Sequence, residues 1–178
     1  MTAGPVLTTD RFELWKPAAG DLDGLVRLLA GDEMTRFLGP ARATAASQFE
    51  RLTRNAGNWA LHGYGTFAVR PRGEGEIIAS CGMFHSWRGF GKGMDDVPEA
   101  GWIVRQDHWG QGVAGEAMRA ALAWFDAEHG PRRIACMIEV GNFASQRLAA
   151  ALGFVRYDSH REEGEDVVLD LFERLPQR

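Results

Sequence analysis

Between Trp102 and Glu116 an apolar strand, Trp102-Ile103-Val104, runs through a short polar loop into Gly110, Gly112 and Gly115 and on into a long amphipathic helix. A second apolar run, Arg133–Glu139, follows the helix after the stop at Gly130-Pro131. A strand–helix–strand unit of this kind makes its two strands parallel, with a right-handed connection. It is the one strong crossover in the chain, and that limits the fold more than any other feature. Glycines at a strand-to-helix turn let a ligand approach the backbone without a Cβ in the way. The first helical turn beyond them points unpaired N–H groups outward, backed by the positive end of the helix dipole. Such a turn is an anion site, and phosphates are its usual occupants.

The rest of the chain reads as hairpins and short helices. Met1–Thr9 reads as a lead-in, and Arg11–Lys16 alternates as a first strand closed by Pro17. Asp21 caps a helix that extends to Ala30. Gly39-Pro40 breaks the chain, and Thr44 caps a second helix that ends at Gly63-Tyr64-Gly65. Thr66–Arg70 and Glu76–His85 form a hairpin across the turn at 71–75. Ser86–Pro98 reads as a long glycine-rich loop, and Glu99–Val104 is the next strand. The helix from Gly112 places Ala114, Met118, Ala121, Leu122 and Phe125 on one face. Asn142–Leu152 is a short helix, and Phe154–Asp158 and Asp166–Arg174 are two last strands joined through Arg161–Glu165. The expectation is an α/β (α+β) domain spanning residues 1–178. Its sheet is mixed and mostly antiparallel, of about seven strands, with helices on both faces and one parallel β-α-β crossover.

Composition narrows the function. A net charge of -4 in 178 residues argues against a nucleic-acid surface. No apolar stretch is long enough to span a bilayer, and no signal peptide is visible, so no membrane partner is expected and the compartment is read as cytoplasmic. Cys81 and Cys136 each sit in a strand-like run with no metal-type spacing, so they read as small core residues and no metal is expected.

Three phosphate-bearing ligands compete for the glycine turn. Gly110 to Gly115 matches G-x-G-x-x-G, with Glu139 where a dinucleotide fold places its acidic residue. Against that reading, Arg105–Trp109 separates strand from glycines, no further βαβ units accompany the crossover, and the strands before it form a hairpin. A P-loop needs a Lys-Ser or Lys-Thr pair that is absent. The third ligand is an acyl-coenzyme A.

Here the sequence resembles a known family. Glu99–Val104, His108–Ala117, Asn142-Phe143-Ala144-Ser145 and Leu152-Gly153-Phe154 occur in the order of the GNAT superfamily of N-acetyltransferases, with the branch that acetylates ribosomal-protein N-termini the most similar. The resemblance implies acetyl-CoA as cosubstrate, held by a pyrophosphate loop of Trp109, Gly110, Gln111, Gly112, Val113 and Ala114, with Gly115 beside it. Trp109 stands where the family usually has a polar residue. It also implies a sheet splayed between the crossover strands. The pantetheine arm would pair there with backbone near Ile103 and Val104, as an added strand does. Asn142 would hold pantetheine amides, or simply cap its helix. A homodimer is compatible with the superfamily.

Acetyl transfer to an amine needs a neutral amine, a donor for the oxyanion and a proton for the departing thiolate. Glu99 is the expected base; its alternative is a solvated strand-end carboxylate. The tyrosine many family members use as acid is missing from Arg147–Leu152, and the ribosomal-protein branch suggests Ser145 in its place. His85 is an alternative base. Trp59, Tyr64, Trp87 and Phe90 are either acceptor-pocket aromatics or core and loop anchors. The expected function is transfer of acetyl to a primary amine, on a protein N-terminus or a small molecule, directly within a ternary complex. A non-catalytic acyl-CoA-binding module is the competing class, with a dinucleotide enzyme behind it.

Overall fold

In a computed structural model, residues 4–37, 44–161, 164 and 166–176 are described. The break at Gly39-Pro40 and most of the turn at Arg161–Glu165 lie outside them. Eight strands form one sheet in the order β1-β2-β3-β4-β5-β6-β8-β7. They are β1 (Leu7–Thr8), β2 (Phe12–Trp15), β3 (Thr66–Pro71), β4 (Ala79–Trp87), β5 (Asp95–Val104), β6 (Ile134–Glu139), β7 (Val155–Arg161) and β8 (Val168–Arg174). The extra strand is β1, inside the stretch read as lead-in, where Leu7 and Thr8 pair with Leu14 and Glu13. Only β5 and β6 are parallel, joined through α3 (Val113–His129). Every other neighbouring pair is antiparallel.

The main core lies on one face of the sheet. There Phe67, Val69, Cys81, Met83 and Ala100 meet Ala117, Met118, Ala121 and Phe125 of α3 and Ala149 of α4 (Phe143–Ala151). Full burial of side chains the size of Phe67, Phe125 or Leu14 stabilises the fold by about 1.5–3 kcal/mol each. On the other face Ile103 packs with Leu28, Leu29 and Met34, around α1 (Leu22–Leu28). The helix α2 (Ala45–His62) begins at Thr44, whose hydroxyl accepts the Ser47 N–H, and ends at left-handed Gly63 with φ 78°. It seats against β3 through Asn55, whose amide exchanges two hydrogen bonds of 2.8 Å with the Thr66 backbone.

Two local readings change. Asp21 makes no side-chain cap on α1. Its carboxylate is buried, accepting the Ala18 N–H at 2.9 Å and the Arg70 guanidinium at 2.6 Å. An ion pair that also satisfies a backbone donor is a better use of a buried carboxylate than an exposed cap. The second change is the loop Ser86–Pro98, both ends of which are strand. β4 runs on to Trp87 and β5 starts at Asp95, with a register shift at Ser86/Trp87. Asp95, Asp96 and Pro98 conceal the strand, because none favours one. Pro98 fits because the ladder's alternation turns its nitrogen away from β4, where no donor is required. Asp95 closes the short connection by accepting the N–H groups of Gly89 and Gly91.

Candidate active site where the parallel strands part

The register between β5 and β6 contains a single partnered pair, Glu99 with Ala135. Beyond it β5 continues to Val104 and β6 to Glu139 without further rungs between them. β5 stays fully paired on its other side, from Glu99–Phe84 to Val104–Ala79. The Arg105 N–H donates to the Ile78 carbonyl at 2.9 Å, which fixes the alternation. Residues 99, 101 and 103 therefore direct their backbone groups to β4. Trp102 and Val104 turn theirs toward the opening. Near Ile103 and Val104, where backbone was expected to meet a ligand, Ile103 turns its groups to the β4 ladder, and Trp102 and Val104 turn theirs to the opening. The Val104 carbonyl already accepts the Trp109 indole N–H at 2.7 Å. The Trp at the first position of the glycine motif thus seals the end of β5.

The glycine turn lies at the head of α3. Gly110 and Gly112 both hold left-handed φ, 72° and 76°, a region costly for any residue with a Cβ. Nothing lies within 4 Å of where a Cβ on Gly110 would stand. The first intrahelical bond runs from Glu116 N to the Gly112 carbonyl, so the N–H groups of Val113, Ala114 and Gly115 have no partner within the helix. Glu116 points away from this cradle. Its carboxylate accepts Thr9 Oγ1 at 2.7 Å, Arg11 N at 3.2 Å and Arg11 Nε at 2.6 Å. Burial opposes the charged form, but the hydrogen bonds from Thr9 and Arg11 outweigh it and hold the carboxyl below its ordinary range. A depressed value means the contact contributes fully above the unfolded-state pKa. It is lost only as the pH falls through the lower folded value.

Glu99 does not open its strand; it sits midway along β5. It is 3% exposed, and both oxygens are engaged by Arg88, Nε at 2.8 Å and Nη2 at 2.5 Å. Arg88 reaches it from the connection after β4, lying over the Phe84 ring at 5.8 Å. Sequence reading missed Arg88 because it sits in a stretch taken as loop. Gly101 leaves room for Phe84, since a Cβ there would meet the ring at 3.2 Å.

Ser145 lies on the opposite face. Its Oγ accepts the Trp102 indole N–H at 3.3 Å, and its backbone N–H donates to the Asn142 side chain at 3.2 Å. Asn142 is thus the N-cap of α4. A hydroxyl that accepts one hydrogen bond keeps its own proton to donate, and accepting strengthens it as a donor. Glu99 and Trp102 are an odd number of residues apart on β5, so the carboxylate and the serine approach the opening from opposite faces.

The remaining candidates do not gather at Glu99. His85 is on the other face, between the Tyr64 hydroxyl at 2.8 Å and Asp96 at 3.0 Å, with His62 stacked on it. Trp59 packs between Phe67 and Trp124, Phe90 stacks on His160, and Trp87 is exposed. Both cysteines are free and buried. Burial pushes the Cys81 thiol up to about 12 and raises that of Cys136 as well, so neither supplies a thiolate. Among the described residues no helix is long and apolar enough to cross a membrane.

A parallel pair that parts beside a buried carboxylate, with an amide cradle at the next helix, suits a pantetheine thioester with its diphosphate. Fold and opening together define an acyl-CoA-dependent transferase. The sequence matches the acetyltransferase (GNAT) domain over residues 11–155. An uncharacterized protein of Bacillus subtilis, YkkB, is 31% identical over 160 residues, 86% of this chain and 87% of that one. A putative GnaT-family acetyltransferase from Bordetella pertussis superposes with a TM-score of 0.82 at 32% identity, covering 94% of this chain and 98% of the other. The ribosomal-protein-S5-alanine acetyltransferase from Vibrio fischeri shares the fold, with a TM-score of 0.74 at 16% identity, covering 96% of each chain. The protein belongs to the GNAT acetyltransferase family, whose members are N-acetyltransferases with acetyl-CoA as cosubstrate.

Proposed function

We propose that the chain, as one domain, transfers acetyl directly from acetyl-CoA to a primary amine, on a protein N-terminus or a small molecule, with Glu99 and Ser145 serving the two reactants from opposite faces. The observation that carries this is the parting of β5 and β6 immediately after Glu99, on the strand that leads into the glycine turn. Acetyl-CoA supplies the activated acyl group and leaves as the thiol. The N–H groups of Gly112 to Gly115 hold its diphosphate, beside Trp109, Gly110 and Gln111. The Trp102 and Val104 backbone lines its arm, with Ile103 behind in the ladder.

Glu99 accepts the amine proton, directly or through water. The Arg88 guanidinium holds both oxygens of the carboxylate, so it marks a place where a cationic amine would be recognised. Ser145 donates toward the departing sulfur, its oxygen held by Trp102. With both thiols protonated and buried, no cysteine carries the acyl group. Reduced, buried cysteines also suit a cytoplasmic setting.

Release of CoA thiol, followed against a panel of peptides with free N-termini, polyamines, amino sugars and amino acids, tests the reading. Acceptor-dependent thiol release supports it, whereas acetyl-CoA binding with no transfer to any amine favours the binding module. Ser145→Ala should lower kcat by about five- to tenfold, the worth of one neutral hydrogen bond, and leave the acetyl-CoA KM near its native value. An unchanged kcat removes the serine from the chemistry.

A further inference from the structure

The turn between β1 and β2 is tied to the glycine turn about a hundred residues away, and the tie falls on one peptide plane. Thr9 closes its own turn, its hydroxyl accepting the Phe12 N–H at 2.9 Å, and it reaches Glu116 at 2.7 Å. Beside its backbone N–H, which donates to Glu116 at 3.2 Å, the Arg11 side chain adds two contacts. Its Nε binds Glu116 Oε2 at 2.6 Å, and its Nη1 donates to the Gln111 carbonyl at 2.9 Å. Glu116 is in the first turn of α3, so one guanidinium spans the helix start and the loop that precedes it.

The Gln111–Gly112 peptide has a glycine immediately before and immediately after Gln111, both left-handed. A flip of this peptide turns ψ of Gln111 and φ of Gly112, and a glycine takes either sign of φ at little conformational cost. In a trans peptide the carbonyl and the N–H point in opposite directions. Holding the Gln111 carbonyl toward Arg11 therefore turns the Gly112 N–H the other way. A flip would present a carbonyl oxygen where that donor stands.

We infer that Arg11 is a positioning residue for the cosubstrate: by holding the Gln111 carbonyl it presents the Gly112 N–H to the diphosphate. Glu116 and Thr9 orient the guanidinium for this task, and that is what the acidic residue in the first turn of α3 does. This inference rests on the proposed acetyl-CoA site and names a control over it that the glycine motif does not contain.

The test compares Arg11→Met and Arg11→Lys with the native chain. Calorimetry gives affinities for acetyl-CoA and for S-acetylpantetheine, which lacks the phosphates. The Gly112 amide resonance is followed in 15N-labelled protein. Arg11→Met should weaken acetyl-CoA about tenfold to a hundredfold, the worth of a hydrogen bond to a charged group. It should leave S-acetylpantetheine within twofold and abolish the acetyl-CoA-induced shift of the Gly112 amide. Arg11→Lys keeps a charge but cannot span both acceptors, so it should recover only part of the affinity. Glu116→Gln provides a second variant, with a smaller loss in the same direction. Equal weakening for both ligands would show a merely structural role, and full recovery with lysine would show a charge effect; either overturns the inference, as does native affinity in Arg11→Met. If the native chain itself does not bind acetyl-CoA, the proposed function fails, a result distinct from normal binding by the variants.

Discussion

Glu99→Gln should lower the rate of acetyl transfer by about 10²- to 10⁴-fold, the usual worth of a general base. Glutamine has nearly the same shape and can still accept a hydrogen bond from Arg88, but it cannot take a proton. Arg88 keeps a side chain that is 30% exposed, so water can satisfy what the pair loses. The fold should survive, with a melting temperature within a few degrees of native. The loss should appear in kcat more than in the acetyl-CoA KM, because the carboxylate lies on the face opposite Ser145 and Trp102. Steady-state rates across pH provide the measurement. The native rate should climb as the amine deprotonates, with the variant far below it while amine protonation still limits the reaction. A variant with native turnover at every pH would exclude Glu99 as the base and leave the Arg88 pair as a structural contact.

The second large effect concerns binding. Gly112→Trp should weaken acetyl-CoA more than about a hundredfold, since displacing two charge-assisted hydrogen bonds removes roughly 3–6 kcal/mol. The backbone adds its own cost, since φ is 76° there and a residue with a Cβ is disfavoured by about 1–2 kcal/mol. A Cβ there would meet only Arg11 Nη2, at 3.5 Å, and circular dichroism of the variant checks that the fold is kept. Calorimetric titration with acetyl-CoA, with NADH as control, gives the answer. Native binding lost in the variant supports the glycine turn as the cosubstrate site. Equal affinity in both chains would move the diphosphate elsewhere and take the function with it. NADH binding at this turn would revive the dinucleotide reading.

These two residues differ in how visible they are in the amino-acid order. Gly112 stands out because its requirement is local. A left-handed turn before a helix calls for glycine, and the apolar strand before it and the amphipathic helix after it identify the place. Glu99 was visible as an acidic residue on the crossover strand, but not as a buried one. Asp95, Asp96 and Pro98 make the start of β5 look like loop, and the strand exists because its partner β4 runs antiparallel beside it through Trp87. β1 escaped notice for a similar reason, as two residues become a strand only against β2.

The sequence alone determined the order of the elements from β2 onward, the crossover that makes β5 and β6 parallel, and the glycine turn with unpaired amides at the helix start. Each follows from periodicity or backbone freedom over a few neighbouring residues. The tertiary structure decided the partners: Arg88 on Glu99, Trp102 on Ser145, Trp109 on the Val104 carbonyl, and Arg11 between Glu116 and the Gln111 carbonyl. A side chain's hydrogen-bond partner depends on where every intervening element packs, and an arginine carries the same local preferences whichever carboxylate it reaches. The choice among distant acceptors therefore appears only once the sheet has brought them within 3 Å or so of one another.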